Sequence, residues 1–225
     1  MKRIIIAIDG PAASGKSSTA RILAQKLGYI YLDTGAMYRA CAIAAREAGV
    51  DIGDHEAVST LMDSLELKII QSPEGNRLIL GERDISQEIR TEEISRLASS
   101  ISAIGVVRSK MVDLQRRLGE DKAVVLDGRD IGTVVFPQAE LKIFLIADLE
   151  ERARRRYNEL CEKGQCHSFE EIVADLRQRD RNDSSRSLAP LVPAADAVHL
   201  DTSKLSLEEQ AQIIYDLARQ RIGQE

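Results

Sequence analysis

The stretch IIIAIDGPAASGKSSTARILAQKL constrains the fold more than any other part of the chain. Residues 4–8 form an apolar run of strand length, a glycine-bearing turn follows, and Ala20, Leu23, Ala24 and Leu27 then recur at i, i+3, i+4 and i+7. That change of period predicts strand, loop and helix, with one helix face against a sheet. The loop fits G-x-x-x-x-G-K-[ST] at every position: Gly10, Pro11, Ala12, Ala13, Ser14, Gly15, Lys16 and Ser17, with Ser18 next. Backbone N–H groups of such a loop point inward, and the helix behind adds the positive end of its dipole. The pattern predicts a triphosphate on residues 10–18, with Lys16 reaching the terminal phosphates and the Ser17 hydroxyl ligating Mg²⁺. An ordinary tight turn would also tolerate these residue types, but it would not need a strand before it and a helix after it.

Five short apolar runs, at 4–8, 29–32, 123–126, 142–146 and 197–200, are separated by helical patterns. They predict an α/β fold, a five-stranded parallel sheet flanked by helices. Between the second and third runs, residues 67–70 and 77–80 flank a turn carrying Pro73, Gly75 and Asn76, a hairpin signal. A helix bearing Ala57, Val58, Leu61, Met62 and Leu65 precedes the hairpin, and one bearing Ile94, Leu97, Ala98 and Ile101 follows it. Residues 36–105 are therefore expected to be an inserted substrate-side module with a small antiparallel sheet, and 1–35 with 106–225 the core. Two later helices start with capping-box spacing, Ser168/Glu171 and Ser206/Glu209, and the first carries Phe169, Ile172, Val173 and Leu176 on one face. The segment 148–165 is rich in arginine and poor in bulky apolar residues, which suits a mobile flap more than a core helix; a lid is expected at 149–166.

Apolar residues make up 44% of the 225-residue chain and charged residues 30%, within the range of globular proteins. No apolar run approaches bilayer length and no N-terminal signal pattern is present, so the expected location is the cytoplasm, with no membrane partner. Three cysteines argue against a disulfide framework. Cys161, Cys166 and His167 lie close together, but no second C-x-x-C completes a zinc site. A formal net charge of −5 argues against general nucleic-acid binding. Arginines nevertheless cluster at Arg152, Arg154, Arg155 and Arg156, and again at Arg177, Arg179, Arg181 and Arg186. Such clusters suit either small polyanions or solvated helix faces with i,i+4 pairs such as Glu151–Arg155 and Asp175–Arg179. Nothing demands more than a monomer.

In open α/β sheets ligands bind beyond the carboxyl ends of the strands. The first three runs lead into Asp9, Asp33 and Asp127, where Mg²⁺ or its waters would need carboxylate oxygens. Taken singly, each aspartate also suits a helix cap or a turn. Just beyond them, Arg39 and Arg129 are placed to grip a second phosphate. Arg152, Arg155 and Arg156 lie within about one and a quarter helical turns and would close over ATP, expelling water. Phosphoryl transfer asks the protein chiefly for in-line positioning and charge neutralisation, and the planar fork of arginine suits both. These features predict a phosphotransferase using ATP and Mg²⁺, with Lys16, Arg39, Arg129, Arg152 and Arg156 as its catalytic residues.

The runs IDGPAASGKSS, LDTGAMYR, DGRDIGTVVFP, RDRNDSSR and APLVPAADA, in that order, resemble bacterial cytidylate kinases over nearly the whole chain. The resemblance implies a P-loop kinase fold with an inserted monophosphate-binding module and a mobile lid. It implies transfer of the γ-phosphoryl group of ATP to CMP or dCMP with Mg²⁺, in pyrimidine nucleotide metabolism. It places ATP on residues 10–18 and the flap arginines, and CMP on Thr34, Tyr38, Arg39, Ser99, Arg108, Arg129, Asp130, Arg179, Asp183 and Arg186. Within that set it implies that Ser99, Arg108 and Asp130 meet the cytosine, Asp183 the ribose, and Arg39, Arg129 and Arg186 the phosphate. Mg²⁺ falls on Ser17, with Asp33 and Asp127 acting through water. Asp130 suits its assignment because the cytosine N4 amine donates to a carboxylate, whereas uracil presents an acceptor there. Thr34 stands where some members have serine, which keeps the hydroxyl.

A related kinase for UMP, AMP or a small alcohol such as shikimate is disfavoured by the inserted module and the DGRD element. A nucleotide-dependent switch should carry a guanine-reading N-K-x-D, and none is present.

Overall fold

The computed structural model describes residues 2–72, 75–162, 164 and 167–223. Strand β1, Ile5–Asp9, is buried throughout, as a strand covered on both faces requires. The turn at 10–15 leads into α1, Lys16–Leu27, which buries Ala20, Leu23 and Ala24 and leaves Leu27 half-buried. β2 (Ile30–Asp33), α2 (Thr34–Glu47) and α3 (His55–Asp63) come next. β3 (Leu67–Ser72), β4 (Gly75–Leu80) and β5 (Arg83–Asp84) precede α4 (Glu92–Ile101) and α5 (Gly105–Leu118). β6 (Val124–Gly128) runs into a π-helical turn, Ile131–Val135, and then β7 (Leu141–Ile146). α6 (Leu149–Glu162), α7 (Phe169–Ser185), β8 (Val198–Asp201) and α8 (Leu207–Gly223) complete the order.

The main sheet has the order β2-β6-β1-β7-β8. β1 is parallel to both its neighbours, with Ile6 beside Val125 on one side and Leu141 on the other. Four of the five strands begin one residue later than the apolar runs that foretold them, and β1, β2 and β8 extend into Asp9, Asp33 and Asp201. Ladder hydrogen bonds are made by the backbone, so a polar side chain at a strand end does not stop the pairing. The loop after β1 thus leaves the middle of the sheet at its carboxyl edge, where open α/β sheets bind ligands.

The chain forms two compact units, residues 1–29 with 122–225, and residues 30–121. In the second, β3, β4 and β5 make the expected antiparallel sheet, with Leu67 opposite Leu80 and Ile69 opposite Leu78. Gly75 and Asn76, expected in the turn, pair with Ser72 and Gln71 in the ladder, and Pro73 lies outside the described residues. Leu65, expected on the face of α3, lies beyond the helix end. Ser64 closes α3 by donating its hydroxyl to the Thr60 and Leu61 carbonyls, which satisfies carbonyls left over in the last turn.

In the first unit, the arginine-rich segment is helical and docked. Ala153 and Leu160 of α6 are buried against Ile172 and Leu176 of α7 and against Ala12 of the loop, with Phe169 and Val173 alongside. Two apolar residues seven apart suffice for one contact face, and average composition concealed them. α7 opens with a capping box in which Ser168 and Glu171 satisfy each other's backbone N–H groups.

Gly10 carries the tightest backbone demand, with φ at +148° and the site of an added Cβ only 2.5 Å from the Leu145 carbonyl oxygen. Gly10→Ala should therefore cost about 2–4 kcal/mol. The measurement is the urea midpoint at unchanged slope, and a midpoint equal to the parent's would contradict it.

Candidate active site

The loop from Gly10 to Lys16 is set by left-handed residues. Ala13 has φ 58° and Gly15 φ 92°, and a non-glycine residue in that region is a cost that ligand-binding loops typically carry. Lys16, the first residue of α1, is buried and donates to the Pro11 carbonyl and, at 3.3 Å, to Ser14 Oγ. One residue on, Ser17 Oγ donates to Asp127 Oδ2 at 2.7 Å. Thr19 Oγ1 donates to Gln210 Oε1 of α8 at 2.8 Å, and Gln210 Nε2 donates to the Leu205 carbonyl, so α8 buttresses the base of the loop. The same Gln210 oxygen lies 3.0 Å from where a Cβ on Gly15 would stand.

The three aspartates at the strand ends have different tasks. Asp127 pairs with Ser17, the arrangement of hard oxygens that suits Mg²⁺. Asp33 is the N-cap of α2, accepting the Ala36 N–H through Oδ1, and it pairs with Arg39 at 3.0 Å through Oδ2. Asp9 accepts backbone N–H bonds from Ile131 at 2.9 Å and Gly132 at 2.8 Å, so it ties the end of β1 to the π-helical turn.

Beside the loop, the first unit gathers six residues singled out in the sequence: Lys16, Arg129, Asp130, Arg179, Asp183 and Arg186. Arg129 Nε donates to Asp183 Oδ2 at 2.7 Å, and Arg186 lies 3.6 Å from Asp130 and 4.0 Å from Asp183. Burial, and after it the Arg129 charge, pull Lys16 well below its ordinary value. Arg179 is lowered for the same two reasons in the same order. Burial also works against Arg129, yet the carboxylates of Asp183 and Asp127 outweigh it and raise that guanidinium. For Asp183 burial favours the neutral acid, but Arg129, Arg186 and Arg179 hold it below the usual carboxylate range. Lys16 and Arg179 are thus short of negative charge, and an anion placed among them would relieve both.

The second unit gathers another group. Arg108 is buried, lies 5.8 Å over the Tyr38 ring and donates to the Ser102 carbonyl at 3.1 Å, and Ser102 Oγ in turn donates to the Ser99 carbonyl. Thr34 is buried at the start of α2, one turn ahead of Tyr38 and Arg39.

The flap arginines are not alike. Arg156 pairs with Glu159 at 2.8 Å. Arg152, 6% exposed, and Arg155 are bonded to the backbone of the loop. Their partners Asp180 and Thr202 carry no role predicted from the sequence; Asp180 lies in the RDRNDSSR run, whereas no spacing points to Thr202. Among the described residues no group of three His, Cys, Asp and Glu side chains is placed to hold a metal ion, and Cys166 lies outside them. Mg²⁺ needs no such cage, because it keeps waters and draws ligands from substrate phosphates. No helix among the described residues is long and apolar enough to cross a membrane.

A family model described as Cytidylate kinase matches residues 6–220. The chain belongs to the cytidylate kinase family. A cytidylate kinase from Halalkalibacterium halodurans is 47% identical over 222 residues, 99% of this chain and 100% of that protein. One from Bacillus subtilis is 45% identical over 220 residues, 98% of each. An uncharacterized protein from Eubacterium ventriosum shares the fold, with a TM-score of 0.55 at 11% identity over 97% of this chain and 99% of that one. Membership of the cytidylate kinase family makes the chain an enzyme that transfers phosphoryl groups.

Burial pushes the Asp9 carboxyl up from 3.8 to about 6, against its two backbone donors and the Lys16 charge. The folded chain holds this proton more tightly than the unfolded one, so the stability it contributes is complete below 3.8 and lost as pH rises through about 6. Relative to Asp9→Asn, the parent should lose on the order of 3 kcal/mol between about pH 4 and pH 7. Urea midpoints across that range measure it, and a difference that stays constant would refute the assignment.

Proposed function

We propose that the chain transfers the γ-phosphoryl group of ATP to CMP or dCMP, acting as a cytoplasmic monomer. The observation that carries this reading is the pair of anion-deficient cations, buried Lys16 and half-buried Arg179, gathered around Arg129 beside the 10–17 loop, in a member of the cytidylate kinase family. The loop N–H groups would hold the ATP phosphates, and Lys16 would exchange its Pro11 and Ser14 acceptors for phosphate oxygens. Mg²⁺, when bound at Ser17 and Asp127, would neutralise charge on the β- and γ-phosphoryl groups. Arg129, Arg186 and Arg39 would orient the CMP phosphate; Asp183 and Asp33 fix the forks of Arg129 and Arg39, while Arg186 is held by the Ala189 carbonyl and ion-paired with Asp130 at 3.6 Å. An oxygen of that phosphate then bonds to the γ-phosphorus in line while the bond to the bridging oxygen of ADP breaks. The attacking phosphate is already ionised at neutral pH, so no general base is needed.

For the nucleoside, Asp130 would accept the cytosine N4 amine, with Ser99 and Arg108 as further base contacts. Asp183 would meet the ribose, and Thr34, Tyr38 and Arg179 would complete the acceptor contacts. Residues 36–105 are proposed as the acceptor-side module and 149–166 as the lid, with Arg156 as its catalytic arginine.

A coupled ADP-release assay across CMP, dCMP, UMP and AMP tests the function; CMP and dCMP should lead by about tenfold or more. Preference for AMP, or no turnover with any of the four, would overturn it. Lys16→Ala should lower turnover by about 10²–10³-fold while leaving CMP affinity nearly unchanged. Asp130→Asn should cut the CMP-over-UMP preference by about tenfold, because the amide can donate to the uracil O4. Competition between the two substrates reads this directly, and an intact preference would show that another residue reads the base.

A further inference from the structure

Arg152 and Arg155 stand on α6, in the segment expected to be a lid, yet both reach the backbone of the 10–17 loop. Arg152 Nη1 donates to the Ala12 carbonyl at 3.1 Å, and its Nε donates to the Ala147 carbonyl at 3.1 Å. Asp180 of α7 receives the two ends of the same guanidinium at 3.0 and 2.6 Å. Arg155 Nη1 donates to the Ser14 carbonyl at 3.3 Å and to Thr202 Oγ1 at 3.2 Å, while its Nη2 donates to the Thr202 carbonyl. The fully buried Thr202 hydroxyl is itself 3.1 Å from the Ser14 carbonyl. The Ala12 and Ser14 carbonyls are thereby held by side chains from outside the loop.

A trans peptide unit is planar, and its C=O and N–H point in opposite directions. Ala12 O shares a peptide plane with the Ala13 N–H, and Ser14 O shares one with the Gly15 N–H. Anchoring the two oxygens therefore sets the direction of the two N–H groups, the donors that an anion cradle uses. The guanidinium charges also polarise these amides, which strengthens the N–H on the far side. Ala13 and Gly15 both have left-handed backbone, φ 58° and 92°, so the anchors act where the backbone needs outside support.

We infer that Arg152, braced by Asp180, and Arg155, braced by Thr202, are positioning residues that preorganise the backbone donors of the loop, in place of closing onto the phosphates. The inference rests on reading residues 10–17 as the nucleotide cradle. It separates two roles that a lid arginine would merge. A side chain that touches the γ-phosphate distinguishes ATP from ADP. One that aims the loop N–H groups serves both nucleotides alike.

Calorimetric titration of the whole chain with ADP and with the imido analogue of ATP, in EDTA so that metal affinity does not enter, tests this. Asp180→Asn, Arg152→Lys and Thr202→Val are compared with the parent, alongside KM for ATP and kcat. Each variant should bind ADP and the analogue about 5–20-fold more weakly, with the ratio of the two affinities unchanged and the KM for ATP raised more than kcat is lowered. Loss confined to the triphosphate analogue would overturn the inference, as would unchanged affinities in Asp180→Asn. Should Asp180→Asn fail to fold, Thr202→Val, a shape-conserving change that removes one hydroxyl, decides the matter by the same two outcomes. A parent chain that binds neither nucleotide would overturn the cradle reading and the inference with it.

Discussion

Buried positive charge that is only partly matched by buried negative charge organises the first unit. After burial, the Arg129 charge depresses both Lys16 and Arg179, while the carboxylates of Asp183 and Asp127 hold Arg129 itself above its ordinary value. Such an arrangement is a cost to the nucleotide-free fold, and the sheet must be rigid enough to carry it. β1, buried at every residue and paired on both sides, supplies that rigidity at the point where the loop leaves the sheet. The carboxylates present do not cancel the charge so much as aim it: Asp183 turns the fork of Arg129, and Asp130 lies 3.6 Å from Arg186. The site is therefore built as a fixed field into which a polyanion fits, the form of catalysis that phosphoryl transfer most rewards.

Much of this was legible in the sequence, for reasons that differ by element. The strand, loop and helix at the N-terminus could be read because glycine spacing and a change of hydrophobic period report backbone geometry directly. That Arg129, Asp130, Asp183 and Arg186 belong to one site was implied by the resemblance to cytidylate kinases, and these four residues lie together in the first unit. Arg152 shows where such reading stops. Its identity and its place on a helix were clear, but composition cannot say whether a guanidinium faces a ligand or a carbonyl behind it. Thr202 is further out of reach, since it meets Ser14 across 188 residues with no spacing to betray it. The docking of α6 was hidden because Ala153 is small, and a small residue contributes little to a hydrophobic pattern while packing closely.

The aspartates at the strand ends teach a related point. One residue type at three equivalent places performs three jobs: Asp127 meets the Ser17 hydroxyl, Asp33 caps a helix and Asp9 binds two backbone amides. Burial raises the Asp9 carboxyl even though two backbone donors reach it. The tie it makes joins the end of β1, one residue before Gly10, to the turn that follows Asp130. The loop that follows β1 and the segment carrying Arg129 and Asp130 are thus linked through one side chain.

The bond between Thr19 and Gln210 spans 191 residues of chain. A nascent polypeptide emerging from the ribosome can pair β1 with later strands before α8 exists, yet the support that α8 lends to Gly15 and α1 waits until Leu207–Gly223 has been made. The turn ahead of α1 is therefore a late-completed part of the fold, finished by a residue far along the chain rather than by its own neighbours.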